Sequence, residues 1–121
     1  MSELKPLIRS CCEDISYIPD IEKTLPTQSE LSALSHIFKA LADPIRLKIV
    51  FALLEYEICV GEMANLLQLP QSHVSHQLKI LRKYGIVEFT KDKKMSFYYI
   101  KNTYIKSVLK MTLQGTKETH V

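Results

Sequence analysis

A chain of 121 residues with 46% hydrophobic content is long enough for one domain with a modest core and too short for two. Its net charge of +3 hides an asymmetry: residues 1–30 hold three Lys/Arg against six Asp/Glu, whereas residues 71–121 hold ten against three. No apolar run approaches the ~20 residues of a membrane span and no secretory pattern opens the chain, so a cytoplasmic protein without a membrane role is expected, its basic second half suited to nucleic acid.

Residues 1–27 show poor periodicity and contain Pro6, Pro19 and Pro26. They are expected to form a flexible N-terminal arm carrying Cys11 and Cys12. Residues 28–121 then form the folded domain. Leu31, Leu34, Ile37, Phe38 and Leu41 recur at helical spacing, which predicts a helix from Gln28 to about Leu41. Asp43 suits the N-cap of the next helix and Pro44 its first position. In that helix Ile45, Ile49 and Leu53, with Val50, Leu54 and Leu47, make a broad apolar face, and Arg46 and Lys48 are its exposed cations. Cys59 begins a further short helix, which runs through Glu62–Leu69 and ends before Pro70.

The run 70–84 carries the most information. Pro70 suits its first position and Gly85 the residue past its end. Val74, Leu78 and Leu81 fall on one buried stripe. Ser72, His73, His76, Lys79 and Lys83 fall largely on the opposite face, and Gln71 and Ser75 extend the polar set. Short hydrogen-bonding groups near the start and cations near the end are what a DNA recognition helix needs for base edges and phosphates. His73 and Gln77 are expected to set sequence preference. An ordinary solvated helix would carry Glu–Lys pairs at this face instead.

Ile86–Thr90 and Met95–Ile100 are β-prone runs separated by Lys91-Asp92-Lys93-Lys94, a hairpin with a basic tip. Lys91, Lys93 and Lys94 are assigned to DNA, although lysines on an exposed hairpin also discourage edge pairing. Asn102 can cap a final helix whose stripe is Ile105, Val108, Leu109 and Thr112 or Leu113. The fold class is therefore mainly α with a small β-hairpin (α+β), a winged helix-turn-helix. The first and last helices carry more apolar surface than a lone domain buries easily, so a homodimer is expected. Its two recognition helices would sit roughly 34 Å apart on an inverted-repeat, double-stranded operator.

Phe38–Leu47, Glu57–Glu62 and Ser72–Leu78, in that order, closely resemble the ArsR/SmtB family of bacterial and archaeal metal-sensing repressors. The resemblance extends over about residues 30–114. It implies a winged-helix homodimer on an operator at a metal-resistance promoter, released when metal binds. Family members place metal sites at different positions. The Cys-Val-Cys element of one site has Cys59 here, but Gly61 at its second position. The final-helix site of the zinc-sensing branch maps onto Asn102, Tyr104, Gly115 and Glu118, of which only Glu118 matches. Arm cysteines resemble those of the cadmium/lead-sensing branch.

Cys11, Cys12 and Cys59 are thus the candidate metal ligands. Three thiolates form a soft site suited to As(III), Sb(III), Pb(II) or Cd(II), and to Zn(II) with a fourth donor. Alternatives stay open: a repressor sensing thiol oxidation or a non-metal signal, or a site using Glu118 and His120. Cys59 alone is also the kind of residue that fills a core. No catalytic or phosphate-loop constellation is present, and three glycines are few for one. An enzyme is not expected.

Overall fold

Side-chain caps start the helices where their residues dictate. Thr27 and Glu30 form a reciprocal box, with Thr27 N–H donating to Glu30 Oε1 at 2.8 Å and Glu30 N–H donating to Thr27 Oγ1 at 3.1 Å. Asp43 Oδ2 accepts from Arg46 N–H at 3.0 Å, with Pro44 in the first turn. Asn102 Oδ1 accepts from Tyr104 N–H at 3.1 Å and opens the last helix.

The computed structural model describes residues 15–119. Their order is α1 (Ile18–Thr24), α2 (Gln28–Leu41), α3 (Pro44–Ala52), β1 (Ile58–Cys59), α4 (Val60–Leu67), α5 (Gln71–Lys83), β2 (Val87–Asp92), β3 (Met95–Ile100) and α6 (Thr103–Thr119). The expected fold class, a winged helix-turn-helix with more helix than strand, is the one observed. The chain divides into two units after Ser32, inside α2. α1 belongs to the first unit. It lies in the stretch read as aperiodic, and Pro19 sits in its first turn, where a missing N–H costs nothing.

Four details differ from expectation. Pro70 is the N-cap of α5 rather than its first residue, with φ −60° and ψ 145°. Arg46 is half-buried and hydrogen-bonded rather than a free cation. Val108 and Leu113 lie outside the α6 stripe that Ile105 and Leu109 bury. Finally, β1 pairs antiparallel with β3, giving a three-stranded sheet in the order β1-β3-β2. A two-residue strand has no periodicity to read.

The hairpin is also tighter than its sequence suggested. Asp92 pairs with Met95, so only Lys93 and Lys94 form the turn, and Lys93 takes φ 59°. Two-residue hairpins need a positive φ because strand twist demands it. Lys91 and Asp92 extend β2.

The core of the second unit sits where α3, α4, α5 and the sheet meet. Ile49, Val50, Met63, Val74, Leu78, Leu81, Ile86 and Val87 are essentially inaccessible. The buried α5 stripe therefore holds one face of that helix inward and leaves the other free.

Candidate nucleic-acid interface

Successive helical residues turn by 100°, so burying Val74, Leu78 and Leu81 fixes what faces outward. Ser72, His76, Lys79 and Lys83 are exposed, and His73 and Ile80 are half-buried. Gln71 and Ser75 are exposed toward the flank that faces α4 and the wing. The preceding turn is sharp. Gln68 adopts φ 57° at the end of α4, and Leu69 N–H reaches Ala64 O at 3.1 Å. Helix, turn and second helix are thereby held by backbone bonds.

Beside α5 lies an open hollow of about 570 Å³ bounded by His76, Lys79, Ile80, Lys83 and the Arg82–Glu88 pair of α5 and β2. Four of these, His76, Lys79, Arg82 and Lys83, are basic side chains of α5. The exposed Lys91, Lys93 and Lys94 extend the positive surface along the hairpin. Such an arrangement can neutralise phosphates on both sides of a groove while Ser72 and His76 approach base edges.

Two arginines also brace the helix. Arg46 Nε donates to Ala40 O at 2.6 Å and Arg46 Nη1 donates to Gln77 Oε1 at 2.9 Å, tying α2, α3 and α5 together. Gln77, expected to set sequence preference, is thus engaged inside the protein. Arg82 Nε donates to Glu88 Oε1 at 2.6 Å, and its guanidinium lies 4.5 Å from the centre of the Phe89 ring. Phe89 in turn contacts Tyr98 at 5.3 Å between centroids. The Arg82 guanidinium, with Phe89 N–H, holds the Glu88 carboxyl below the usual carboxylate range. His36 of α2 stacks on Tyr84 at 5.5 Å, fixing the far end of the helix. Sequence patterning missed these contacts because they join residues whose types also suit an exposed face.

Cys59 is 6% exposed and heads α4. Its backbone N–H donates to Glu62 Oε1 at 3.0 Å. That bond, and then the neighbouring Cys59 thiol, lower the Glu62 pKa. The spacing of Cys59 and Glu62 is that of a capping box with sulfur in place of a hydroxyl, a signal the sequence did contain. A second hollow of about 420 Å³ opens beside Cys59, walled by Gly61, Gln71, Ser75 and Met95. A Cβ at Gly61 would meet only Gln71 Nε2, at an ordinary 3.6 Å.

Cys11, Cys12 and His120 lie outside the described residues. Among the described residues no three His, Cys, Asp or Glu side chains are grouped to hold a metal ion. Asn102 and Tyr104 serve as cap and exposed surface. Cys59 has the chemistry and the adjoining space for a soft ion, with further donors required from elsewhere.

Apolar residues remain uncovered on α2 and α6. Leu34 is 47% and Phe38 52% exposed, while Tyr104, Val108 and Met111 reach 83%, 42% and 74%. None of the helices formed by the described residues is long and apolar enough to cross a membrane.

Residues 43–88 match the family described as bacterial regulatory protein, arsR family. The chain is 39% identical over 87 residues to the cadmium resistance transcriptional regulatory protein CadC of Listeria innocua, covering 71% of this chain and 73% of that protein. The solved structure of HlyU from Vibrio cholerae superposes with a TM-score of 0.68 at 31% identity, over 73% of this chain and 96% of that one. A homodimeric winged helix-turn-helix DNA-binding domain from Mycobacterium bovis shares the fold, with a TM-score of 0.69 at 21% identity, over 81% and 95%.

Proposed function

The chain belongs to the arsR family of bacterial regulatory proteins, and from that premise we propose a repressor that grips an inverted-repeat operator as a homodimer and leaves it on binding a thiophilic ion. That it is a DNA-binding transcriptional regulator rather than an enzyme follows from the family itself. The observation that carries the proposal is the outward face of α5, where exposed Ser72 and His76 are followed by exposed Lys79 and Lys83. His73, Gln71, Ser75, Lys79, Lys83, Lys91, Lys93 and Lys94 complete the proposed contact set.

Dimer formation is supported by the uncovered apolar residues of α2 and α6, which a second copy would bury. The operator is then read by two α5 helices one turn of DNA apart, each entering a major groove.

Metal sensing is supported by the cadmium-resistance role of the CadC relatives and by Cys59 at the head of α4. Cys59 with Cys11 and Cys12 would supply three thiolates to Cd(II), Pb(II) or As(III), or to Zn(II) with an oxygen donor. Bound there, such an ion supplies a cross-link between the arm and α4. An inducer must favour the DNA-incompetent state, and roughly 5.5 kcal/mol of differential binding converts 99:1 into 1:99.

Cys59→Ser is the direct test. Operator binding should persist while Cd(II)-driven release disappears, followed by fluorescence anisotropy on a labelled operator. Unchanged release would remove Cys59 from sensing. Release by diamide or peroxide in metal-free buffer, lost in the same variant, would select thiol oxidation instead.

A further inference from the structure

Cys59 and Met95 both line the same hollow. Strand register explains why. Cys59 stands opposite Phe97, and Met95 lies two residues before Phe97 on β3, so all three side chains share one face of the sheet. Diagonal neighbours of this kind have Cα atoms about 7–8 Å apart, within reach of a long side chain. Two metal–sulfur bonds of about 2.3 Å each would close the remaining gap.

The two residues differ in a telling way. Cys59 is 6% exposed, whereas Met95 is 48% exposed beside the hairpin turn, where no core holds its flexible side chain. Met95 is absent from the residues that pack against the buried cluster. Gly61 keeps the intervening wall low, since it projects no side chain into the space.

We propose that Cys59 Sγ and Met95 Sδ form a second, two-sulfur site for a monovalent soft cation of the Cu(I) class. A thiolate and a thioether suit such an ion, which accepts low coordination numbers, better than they suit Zn(II) or Cd(II). The cation replaces the thiol proton, so thiolate and ion together are neutral and the neighbouring Lys94 is not opposed by a net charge. The inference rests on the reading of Cys59 as a metal-facing residue, and it adds a route to DNA that the arm does not supply. Ligation ties Met95, and with it the Lys93-Lys94 tip, to the head of α4. The wing's cations are then withdrawn from phosphate.

The test uses the full chain with methyl-labelled methionine and Ag(I), a diamagnetic probe for this class. In a Cys11→Ser/Cys12→Ser background, Ag(I) should move the Met95 methyl resonance and leave Met63 and Met111 in place. Cys59→Ala should abolish that shift. Met95→Leu conserves volume and leaves the fold intact. It should weaken Cu(I) binding, measured against a chromogenic chelator, by at least about tenfold, the scale reached by losing even an indirect partner of a metal. Cd(II) binding by the chain with all three cysteines should not change in Met95→Leu. A stationary Met95 signal while Ag(I) binds Cys59, or equal Cu(I) affinity in Met95→Leu, overturns the site. Loss of Cd(II) response in Cys11→Ser/Cys12→Ser with the Ag(I) shift retained supports it. Failure of Cd(II) to release the unmodified chain from DNA, with the Ag(I) shift present, defeats the three-cysteine reading alone.

Discussion

Arg46 and Gln77 are joined by a hydrogen bond of 2.9 Å between Nη1 and Oε1, and the same guanidinium holds Ala40 O at 2.6 Å. The carbonyl belongs to the last turn of α2 and the amide to the middle of α5. One side chain therefore sets the distance between the helix proposed to pair subunits and the helix proposed to read DNA. Arg46→Ala leaves both acceptors without this partner and should cost about 1.5–3 kcal/mol of stability, the range for bonds to a charged group. Arg46→Lys cannot reproduce the fork and should recover little. Operator affinity should fall while its dependence on salt stays the same, because Arg46 meets no phosphate. Urea denaturation and anisotropy at several salt concentrations check both halves. A salt slope lower by one would place Arg46 on the DNA instead.

The outward lysines should behave oppositely. Lys79→Ala and Lys83→Ala should weaken binding to operator and random DNA alike, each lowering the salt slope by about 1. His76→Ala should cost about 1–3 kcal/mol on the operator and much less on random sequence. Equal losses on the two DNAs would move His76 from base edge to backbone.

Pairing through α2 and α6 is tested from the apolar side. Phe38→Glu or Met111→Glu places a charge where a second copy is proposed to bury apolar surface. Both residues are already more than half exposed, at 52% and 74%, so the isolated fold should tolerate the change. Sedimentation should show a monomer, and binding to a two-half-site operator should fall to the level of a single half-site. A dimer surviving both substitutions would rule out this face.

The sequence announces whatever repeats along one element. Val74, Leu78 and Leu81 define the inward stripe of α5, and their spacing alone exposes His76, Lys79 and Lys83. Asp43-Pro44 and Asn102 announce helix starts because a cap acts within three residues. What joins separate elements leaves no such pattern. Gln77 looks like its polar neighbours until Arg46, 31 residues away, is found beside it. β1 is legible only once β3 is in place, since two residues carry no alternation. Val108 and Leu109 are equally apolar, and only the tertiary packing of α6 separates the exposed one from the buried one.

Acid should loosen the wing before it unfolds the domain. Arg82 and Phe89 N–H lower the Glu88 pKa in the folded protein, so the folded state binds its proton less readily than the unfolded chain. The stabilisation is present above the unfolded-state carboxylate value and is lost as pH falls through the lower folded-state value. Both partners are solvent-accessible, with side chains 49% and 30% exposed, so the effect is local and modest. Glu88→Gln should remove the pH-dependent part. Amide exchange at Phe89 and Thr90 should match wild type at low pH and exceed it near neutrality. Equal protection at every pH would show that the Arg82–Phe89 contact holds the hairpin without the carboxylate.

Lys93 separates conformational strain from charge at the wing tip. Its φ of 59° is a left-handed conformation that costs an L-residue with a Cβ roughly 1 kcal/mol or more and costs glycine nothing. Neighbouring Lys94 carries no such penalty, because Lys93 is the hairpin's sole positive-φ residue. Lys93→Gly should therefore raise the melting temperature while weakening DNA binding and lowering the salt slope by about 1. Lys93→Asn accepts the same backbone angle with a side chain that carries no charge, so it should track glycine in DNA binding and fall between the two in stability. Lys94→Ala should lower affinity with no gain in melting temperature. If Lys93→Gly stabilises the protein and leaves operator affinity unchanged, the tip does not reach phosphate. The lysines at the hairpin would then serve only to keep an exposed sheet edge from pairing.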